Sequence, residues 1–252
     1  GSYSFAFALQ PCSLNVRVPG IRNTTHEAPL PGGRPLQRAY ASTRLAIANI
    51  DTASALRHLI SIGCHPAALN FANARHVGGG YLRGARAQEE DLCRLMPPLY
   101  SQLKRRPYPI PPSAVHYTTT LLARTAGTYE LVPSIQVAII SSAMPNLASQ
   151  HDLRKYGGPD TVRWAETVRL RIRAVLHAAV QEKHDAVILG AFGCGAFGNP
   201  PNDVARIFRD TIASPEFLGQ FRTVVFAIVD PKHTDQGNLA AFQAVLRPLC
   251  DQ

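Results

Sequence analysis

Two adjacent glutamates, Glu89 and Glu90, lie a short distance after three consecutive glycines in the segment NFANARHVGGGYLRGARAQEED, residues 70–91. Paired carboxyl groups can act as general acid and base, and glycines let backbone N–H groups approach phosphate oxygens. Acidic residues are also common in a first helical turn, where the helix dipole stabilises them. The pair alone is therefore more often structural. Because a ligand held by the glycines would lie beside the carboxyl groups, the combination favours a binding or catalytic site.

A second glycine-rich segment, GCGAFGN at residues 193–199, directly follows the apolar run AVILGAF. By itself such a segment is more often an ordinary turn between strand and helix. Two such segments suggest a diphosphate ligand, and the second leads to a helix start near Asn202 that would favour an anion. The sequence contains neither G-x-x-x-x-G-K-[ST] nor a G-x-G-x-x-G with an acidic residue about 20 residues later, which disfavours ordinary NTPases and dinucleotide enzymes.

Strand-like and helix-like segments alternate along most of the chain, which predicts an α/β sheet covered on both faces, with ligands beyond the carboxyl ends of its strands. Residues 36–61 have apolar positions three and four apart and predict two short helices or one broken helix. Residues 1–35 are expected to be irregular. The remaining predicted strands are 66–72, 115–124, 135–143, 186–192 and 223–229. The remaining predicted helices start near Gln88, span Asp160–Val180 and 202–212, and lie near 238–246.

The helix at Asp160–Val180 is strongly amphipathic. Trp164 is expected in the core beside its apolar stripe. Four arginines are expected to form a solvated face: Arg163, Arg169, Arg171 and Arg173. In the second glycine segment, Cys194 has no base beside it in the sequence and is interpreted as a packing residue rather than a nucleophile.

The composition describes an ordinary globular protein with one domain as the default, since 252 residues can bury a full core. The longest apolar runs are too short to cross a bilayer. Five scattered cysteines without a C-x-x-C pair argue against a disulfide framework or zinc site and favour an intracellular location. The net charge of +9 fits a polyanionic partner.

The segment FANARHVGGG followed by QEE resembles the GGG-x(6–8)-QEE signature of poly(ADP-ribose) glycohydrolases, specifically the compact bacterial and fungal type built on a macrodomain. The segments VHYTTTLLAR, VAIISSAMPN, VILGAFGCGAFGNPPNDVARIF and HTDQGNLAAF resemble the family's later segments in order, so that the likeness covers roughly residues 35 to 247. It implies a macrodomain-like three-layer α/β/α fold with a central mixed, mostly parallel sheet and additional N-terminal helices. The domains would be an irregular extension at 1–35 and a catalytic domain at 36–250.

The resemblance also implies a site and a reaction, hydrolysis of the ribose–ribose bonds of poly(ADP-ribose), mainly from chain ends, with ADP-ribose as product. Glu90 would act on the bond and become competent as an acid chiefly when substrate is bound. Glu89 would orient the distal ribose, and Gln88 belongs to the same catalytic loop. The residues implied to hold ADP-ribose are Asn73, Gly78, Gly79, Gly80, Gly193, Gly195, Ala196 and Phe197. The adenine pocket cannot be named from the sequence.

The expected partners are poly(ADP-ribose) and ADP-ribosylated proteins, with no metal, no cofactor, no membrane, no sequence-specific nucleic acid and a monomeric state. Three alternatives stay open: an ADP-ribose reader without activity, a hydrolase of single ADP-ribose groups, and a nucleic-acid-binding module that rests on charge alone. Arginines and a histidine around the first glycines could steer a phosphate polymer or be merely solvated. They are Arg75, His76, Arg83 and Arg86.

Overall fold

A computed structural model describes residues 22–29, 37–230 and 237–250, and these residues build one seven-stranded sheet. The strand order across the sheet is β1-β4-β5-β3-β6-β7-β2. No helix in the described part of the chain is both long enough and apolar enough to span a membrane. The strands are β1 (Asn23–Glu27), β2 (Arg44–Ala48), β3 (Pro66–Phe71), β4 (Ala114–Arg124), β5 (Leu131–Ser142), β6 (Ala186–Leu189) and β7 (Thr223–Ala227).

The sheet is mixed and mostly parallel, as predicted. Strand β4 pairs antiparallel with both β1 and β5, whereas β5, β3, β6, β7 and β2 pair parallel with one another. Strands β2, β3, β6 and β7 are short and mostly apolar, and β6 and β7 are buried at every position. A strand that is apolar on both sides needs a helical layer on each face.

Helices cover both faces and complete the predicted α/β/α arrangement. On one face, α5 and α6 pack with Trp164, Phe208 and Phe226 in the larger core. On the other face, α1, α2 and α3 pack against the alternate residues of the same strands, such as Ala68 and Ile139. The helices are α1 (Thr52–Ser61), α2 (Gln88–Leu95), α3 (Leu99–Leu103), α4 (Gln150–Tyr156), α5 (Val162–Gln181), α6 (Pro201–Ile212) and α7 (Asn238–Cys250).

The expected N-terminal helices are wrong in their first half. Residues 44–48 form β2, which pairs parallel with β7 at the edge of the sheet, and only α1 is helical in the predicted range. Leu45 and Ala46 enter opposite cores, which is the period-two alternation of a strand. A second correction concerns the expected irregular extension, because residues 23–27 form the edge strand β1 beside β4. The rest of that extension, residues 1–21 and 30–35, lies outside the described residues.

The prediction of an arginine-rich solvated face on α5 is half wrong. Arg163 and Arg169 are exposed, but Arg171 is only 1% exposed and its guanidinium lies 5.4 Å from the centre of the Tyr156 ring of α4. Arg173 is also buried and donates two hydrogen bonds to Glu216, at 2.8 and 2.7 Å. Helix α4 and the segment after α6 cover this side of α5, which periodicity in one helix cannot reveal. Trp164 is buried as predicted.

Candidate active site

Both glycine segments lie at the same edge of the sheet, as predicted. Strands β3 and β6 are neighbours and run parallel, with Pro66 opposite Ala186 and Ala68 opposite Ile188. The chain after β3 enters the first glycine loop (residues 73–80), and the chain after β6 enters the second glycine loop (residues 193–199). Parallel strands present their carboxyl ends together, which is where α/β sheets bind ligands.

A cavity of about 400 Å³ opens at this edge, a volume typical of small-molecule sites. Phe71 and Phe192 form part of its wall, with their ring centres 5.5 Å apart. All four predicted residues of the second glycine loop line the cavity, and so does Gln88 at the start of α2. These residues are Gly193, Gly195, Ala196 and Phe197.

The first glycine loop and the two glutamates are not among the described residues that line this cavity; they pack against each other beside it. Gly79 has a φ of +57°, and a Cβ placed on it would lie 2.5 Å from Glu90 Oε1 and 3.1 Å from Glu89 Oε2. The loop therefore approaches both carboxyl groups closely, and only a residue without a side chain fits there. The predicted proximity of the glycines and the glutamates is confirmed.

Two backbone N–H groups hold the Glu90 carboxylate. Gly80 N donates to Oε1 at 2.7 Å, and Ala87 N donates to Oε2 at 3.1 Å. The second contact is one half of a capping box: Glu90 is the third residue of α2, and its side chain bonds to the backbone N–H of Ala87, which directly precedes the helix. Both ends of the segment from Gly80 to Ala87 are thus hydrogen-bonded to the same carboxylate.

Glu89 is almost completely buried, with 2% of its surface exposed. Its Oε2 accepts from Asn73 N at 2.8 Å and its Oε1 from Asn70 Nδ2 at 3.3 Å. Burial raises the pKa of Glu89 to about 8, more than these hydrogen bonds lower it. Burial accordingly favours the neutral form of one carboxyl group of the pair.

Asn73 shapes the first glycine loop through its side chain. Its Oδ1 accepts from Arg75 N at 2.9 Å and from His76 N at 3.0 Å, which closes a turn of the Asx type. The Arg75 guanidinium, expected to be either steering or solvated, forms an ion pair with Asp152 of α4 at 3.1 Å. In this structure Asn73 therefore acts on the loop and, through its N–H, on Glu89.

Gln88 anchors the start of α2 to the end of β3. Its Oε1 accepts from Phe71 N at 2.8 Å, and its Nε2 donates to Leu69 O at 2.8 Å and to Thr52 Oγ1 at 3.2 Å. Strand β6 pairs with β3 only as far as Ala68, which leaves the backbone beyond it open. The Gln88 amide takes the place of a neighbouring strand there, a role that the sequence did not reveal.

The second glycine loop is braced by its last residue, Asn199, which was not predicted from the sequence. Its Nδ2 donates to Gly193 O at 3.0 Å and Pro145 O at 2.8 Å, and its Oδ1 accepts from Trp164 Nε1 at 2.8 Å. Gly193 has a φ of +74°, and a Cβ there would lie 2.6 Å from Met144 Cβ. An asparagine at the end of a glycine-rich loop was the available signal.

The cavity is also lined by residues that the sequence did not identify. Asp51 and Thr52 lie at the start of α1, where Asp51 caps the helix by accepting from Ser54 N at 2.9 Å. The others are Ile228, Val229 and Asn238. Reading residues 44–48 as a strand would have pointed to Asp51, because the loop after a parallel strand lies at the same edge of the sheet as the site.

Cys194 packs against the larger core, and burial raises its pKa to about 12, which is consistent with its interpretation as a packing residue. Within the described residues, no group of three or more His, Cys, Asp or Glu side chains has a geometry that could hold a metal ion.

Comparisons with known proteins decide the family. Residues 19–120 match the family model described as "Microbial-type PARG, catalytic domain". The poly(ADP-ribose) glycohydrolase of Deinococcus radiodurans, solved with ADP-ribose, is 31% identical with a TM-score of 0.72, over 84% of this chain and 87% of that one. The chain belongs to the microbial-type PARG family. The Thermomonospora curvata enzyme with the inhibitor ADP-HPD is 34% identical with a TM-score of 0.68, over 80% and 78% of the two chains. Comparison with curated proteins gives no significant match.

In this member of the microbial-type PARG family, two elements of the candidate site lie at one edge of the sheet. One is the cavity with the second glycine loop, and the other is the buried glutamate pair with the first glycine loop. Gln88 connects the two elements, because it lines the cavity and directly precedes Glu89 in the sequence.

Proposed function

We propose that the protein hydrolyses the ribose–ribose O-glycosidic bonds of poly(ADP-ribose), mainly from chain ends, and releases ADP-ribose. The observation that carries the proposal is the glutamate pair: Glu90 is fixed by two backbone N–H groups and Glu89 is buried beside it, next to a nucleotide-sized cavity. Family membership supports this reading, and the Deinococcus relative was solved with ADP-ribose bound.

The cavity suits an ADP-ribose unit. Its wall is mainly apolar, and the second glycine loop can direct backbone N–H groups at a pyrophosphate. Helix α6 begins just after this loop, so the positive end of its dipole favours an anion there. Phe197, which lines the cavity, is proposed to pack near the distal ribose. The adenine is proposed to lie beside Asp51, Thr52, Ile228 and Val229, which also line the cavity.

Glu90 is proposed as the acid and base of the reaction. Cleavage of a glycosidic bond passes through an oxocarbenium-like state and requires a proton for the departing oxygen. Once the negative phosphates of the bound substrate favour its protonated form, Glu90 would give this proton to the departing oxygen as the bond to the ribose carbon breaks. The resulting carboxylate would then take a proton from the attacking water, which leaves a hydroxyl group on the released ADP-ribose and restores the acid.

Glu89 is proposed to position the distal ribose. Both carboxyl groups flank Gly79, and two negative charges so close together would repel each other. The raised pKa of Glu89, about 8, removes this repulsion at pH 7 because its carboxyl group keeps a proton. A neutral carboxyl group can also donate a hydrogen bond to a sugar hydroxyl.

The substrate class is tested by incubating the monomeric fraction of the protein with poly(ADP-ribose) and, separately, with a mono-ADP-ribosylated protein. We expect release of ADP-ribose from the polymer, with little release from the second substrate. Preferential release from the mono-ADP-ribosylated protein would support a hydrolase of single groups instead. Binding of ADP-ribose without turnover of either substrate would support a reader. Early accumulation of oligomers would contradict cleavage from chain ends.

A further inference from the structure

The segment between Gly80 and Ala87 carries an exposed surface that the proposed reaction does not use. Leu82 is 74% exposed at the tip of a short 3-10 helix (Tyr81–Arg83), and the side chains of Arg83 and Arg86 are also exposed. We infer that this outer patch (Leu82, Arg83 and Arg86) binds the ADP-ribose unit adjacent to the one being hydrolysed. The inference rests on the proposed function and adds a second subsite to it.

The outer patch is held in a fixed position relative to Glu90. The segment starts and ends on the Glu90 carboxylate, through Gly80 N and Ala87 N. Between these points Ala85 N donates to Gly80 O at 3.2 Å, and the Arg94 guanidinium donates to Ala85 O. A surface that is already ordered loses little conformational entropy when it binds a ligand.

An aromatic contact fixes the base of the same segment. The Tyr81 ring lies 5.2 Å from the Tyr100 ring, centre to centre, and the Arg94 guanidinium lies 5.8 Å from the Tyr81 ring centre. Gly84 closes the 3-10 helix in the left-handed conformation, with a φ of +79°. Leu82 therefore stays at the tip of a compact turn instead of folding back onto the core.

The two arginines of the patch are available for an anion, unlike their neighbours. Arg75 pairs with Asp152, and Arg94 is engaged by Ala85 O and Tyr81. By contrast, the guanidinium groups of Arg83 and Arg86 make no hydrogen bond or ion pair with the described residues. Guanidinium groups without a protein partner are suited to the paired oxygens of a pyrophosphate.

The chemistry of the polymer identifies the occupant. If Glu90 protonates the departing oxygen, the rest of the poly(ADP-ribose) leaves on the side of Glu90 and passes the protein segment that encloses this carboxylate. The next unit of the polymer carries a pyrophosphate and an adenine. Arg83 and Arg86 fit the first group, and the exposed Leu82 offers an apolar surface to the second. Arg86 also lines the cavity and thus lies at the boundary between the two units.

The inference is tested with two substrates that share the bond to the distal ribose and differ in the departing group. One is long poly(ADP-ribose), and the other is ADP-ribose joined at the same carbon to a hydroxyl group of a methyl riboside, which needs the same proton from Glu90 but carries no phosphate or adenine. For each variant the readout is the ratio of kcat/KM on the polymer to kcat/KM on the riboside compound. General damage to the site lowers both values and leaves the ratio unchanged.

For the Arg83→Ala/Arg86→Ala variant we expect the ratio to fall about three- to tenfold, since two solvent-exposed charge contacts are lost. Its kcat/KM on the polymer should also fall less steeply with added salt. Leu82→Ser should also lower this ratio, because it removes the apolar surface offered to the adenine. The matched control is Arg163→Ala/Arg169→Ala, which removes the same charge from the exposed side of α5 and should keep the wild-type ratio.

An unchanged ratio in the Arg83→Ala/Arg86→Ala variant would overturn the inference while leaving the proposed function intact. An equal fall in the α5 control would overturn it as well, because net charge alone would then explain the effect. If the wild-type protein hydrolysed neither substrate, the proposed function itself would fail, and the second subsite with it. Thermal unfolding of each variant confirms that the substitutions leave the fold in place.

Discussion

Gly79 and Glu90 are in such close contact that a single methyl group would not fit between them. A Cβ on Gly79 would lie 2.5 Å from Glu90 Oε1, and the glycine has a φ of +57°. The same oxygen accepts the N–H of Gly80 at 2.7 Å. The first glycine loop therefore determines where the Glu90 carboxylate can be, in addition to any contact that it makes with phosphate.

Gly79→Ala should displace the Glu90 carboxylate and lower kcat by about 100-fold, since misplacing a catalytic group by roughly 1 Å has effects of that size. The matched control is Gly127→Ala in the turn between β4 and β5. Gly127 has a φ of +80° but no atom within 4 Å of an added Cβ, so it carries the same backbone strain without the clash. Equal activity of the two variants in a poly(ADP-ribose) assay would refute the steric account.

Glu89→Gln should change how stability depends on pH. The pKa of Glu89 is raised to about 8 in the folded protein from an ordinary value of 4.5. Between these pH values the folded state holds a proton that the unfolded state has lost, so the free energy of unfolding falls as pH rises through the window. The variant lacks this proton, so its stability relative to wild type should increase from about pH 5 to about pH 8 and then level off.

The measurement is urea unfolding of both proteins at several pH values, with the difference in free energy of unfolding plotted against pH. Other titrating groups cancel in this difference because both proteins contain them. A difference that stays constant across the window would show that Glu89 does not bind a proton there, and the neutral-carboxyl role would be abandoned.

Gln88→Ala should destabilise the protein by about 1–3 kcal/mol, because Phe71 N and Leu69 O lose their hydrogen-bond partner in a partly buried place. We also expect kcat to fall, since α2 would no longer be anchored to β3. Gln243→Ala on the exposed side of α7 is the control and should leave both quantities near wild type. Denaturant unfolding and initial rates measure them. Wild-type stability in Gln88→Ala would contradict the anchoring role.

Asn199→Ala should weaken binding of ADP-ribose by loosening the second glycine loop, because Gly193 O, Pro145 O and Trp164 Nε1 all lose a partner. Trp164→Phe removes only one of these bonds and should have a smaller effect. Calorimetric titration with ADP-ribose gives both dissociation constants. Unchanged affinity in Asn199→Ala would mean that the loop keeps its shape without the brace.

The sequence predicted those parts of the site that depend on local order along the chain. Apolar runs ending in glycine-rich segments located both loops, and parallel pairing of β3 and β6 placed them together. The burial of Glu89 and the anchoring by Gln88 could not be predicted, because both arise from contacts with residues distant in sequence. Asn199 was missed for the same reason, since its partners Pro145 and Trp164 come from two other elements.

The main error in the fold has a physical cause. Residues 44–48, RLAIA, form a short apolar run that fits a buried strand or a helical turn equally well. Alanine favours a helix locally, but pairing with β7 and burial on both faces select the strand. This error also hid Asp51, which follows the end of that strand at the cavity.

The most direct test of the central claim compares wild type with Glu90→Gln for ADP-ribose release from poly(ADP-ribose) and for ADP-ribose affinity. We predict that Glu90→Gln binds ADP-ribose with near wild-type affinity but releases ADP-ribose from the polymer at least about 100-fold more slowly. The exposed Glu166→Gln on α5 serves as the control. Wild-type turnover by Glu90→Gln, in a protein that is folded and binds ADP-ribose, would contradict the account.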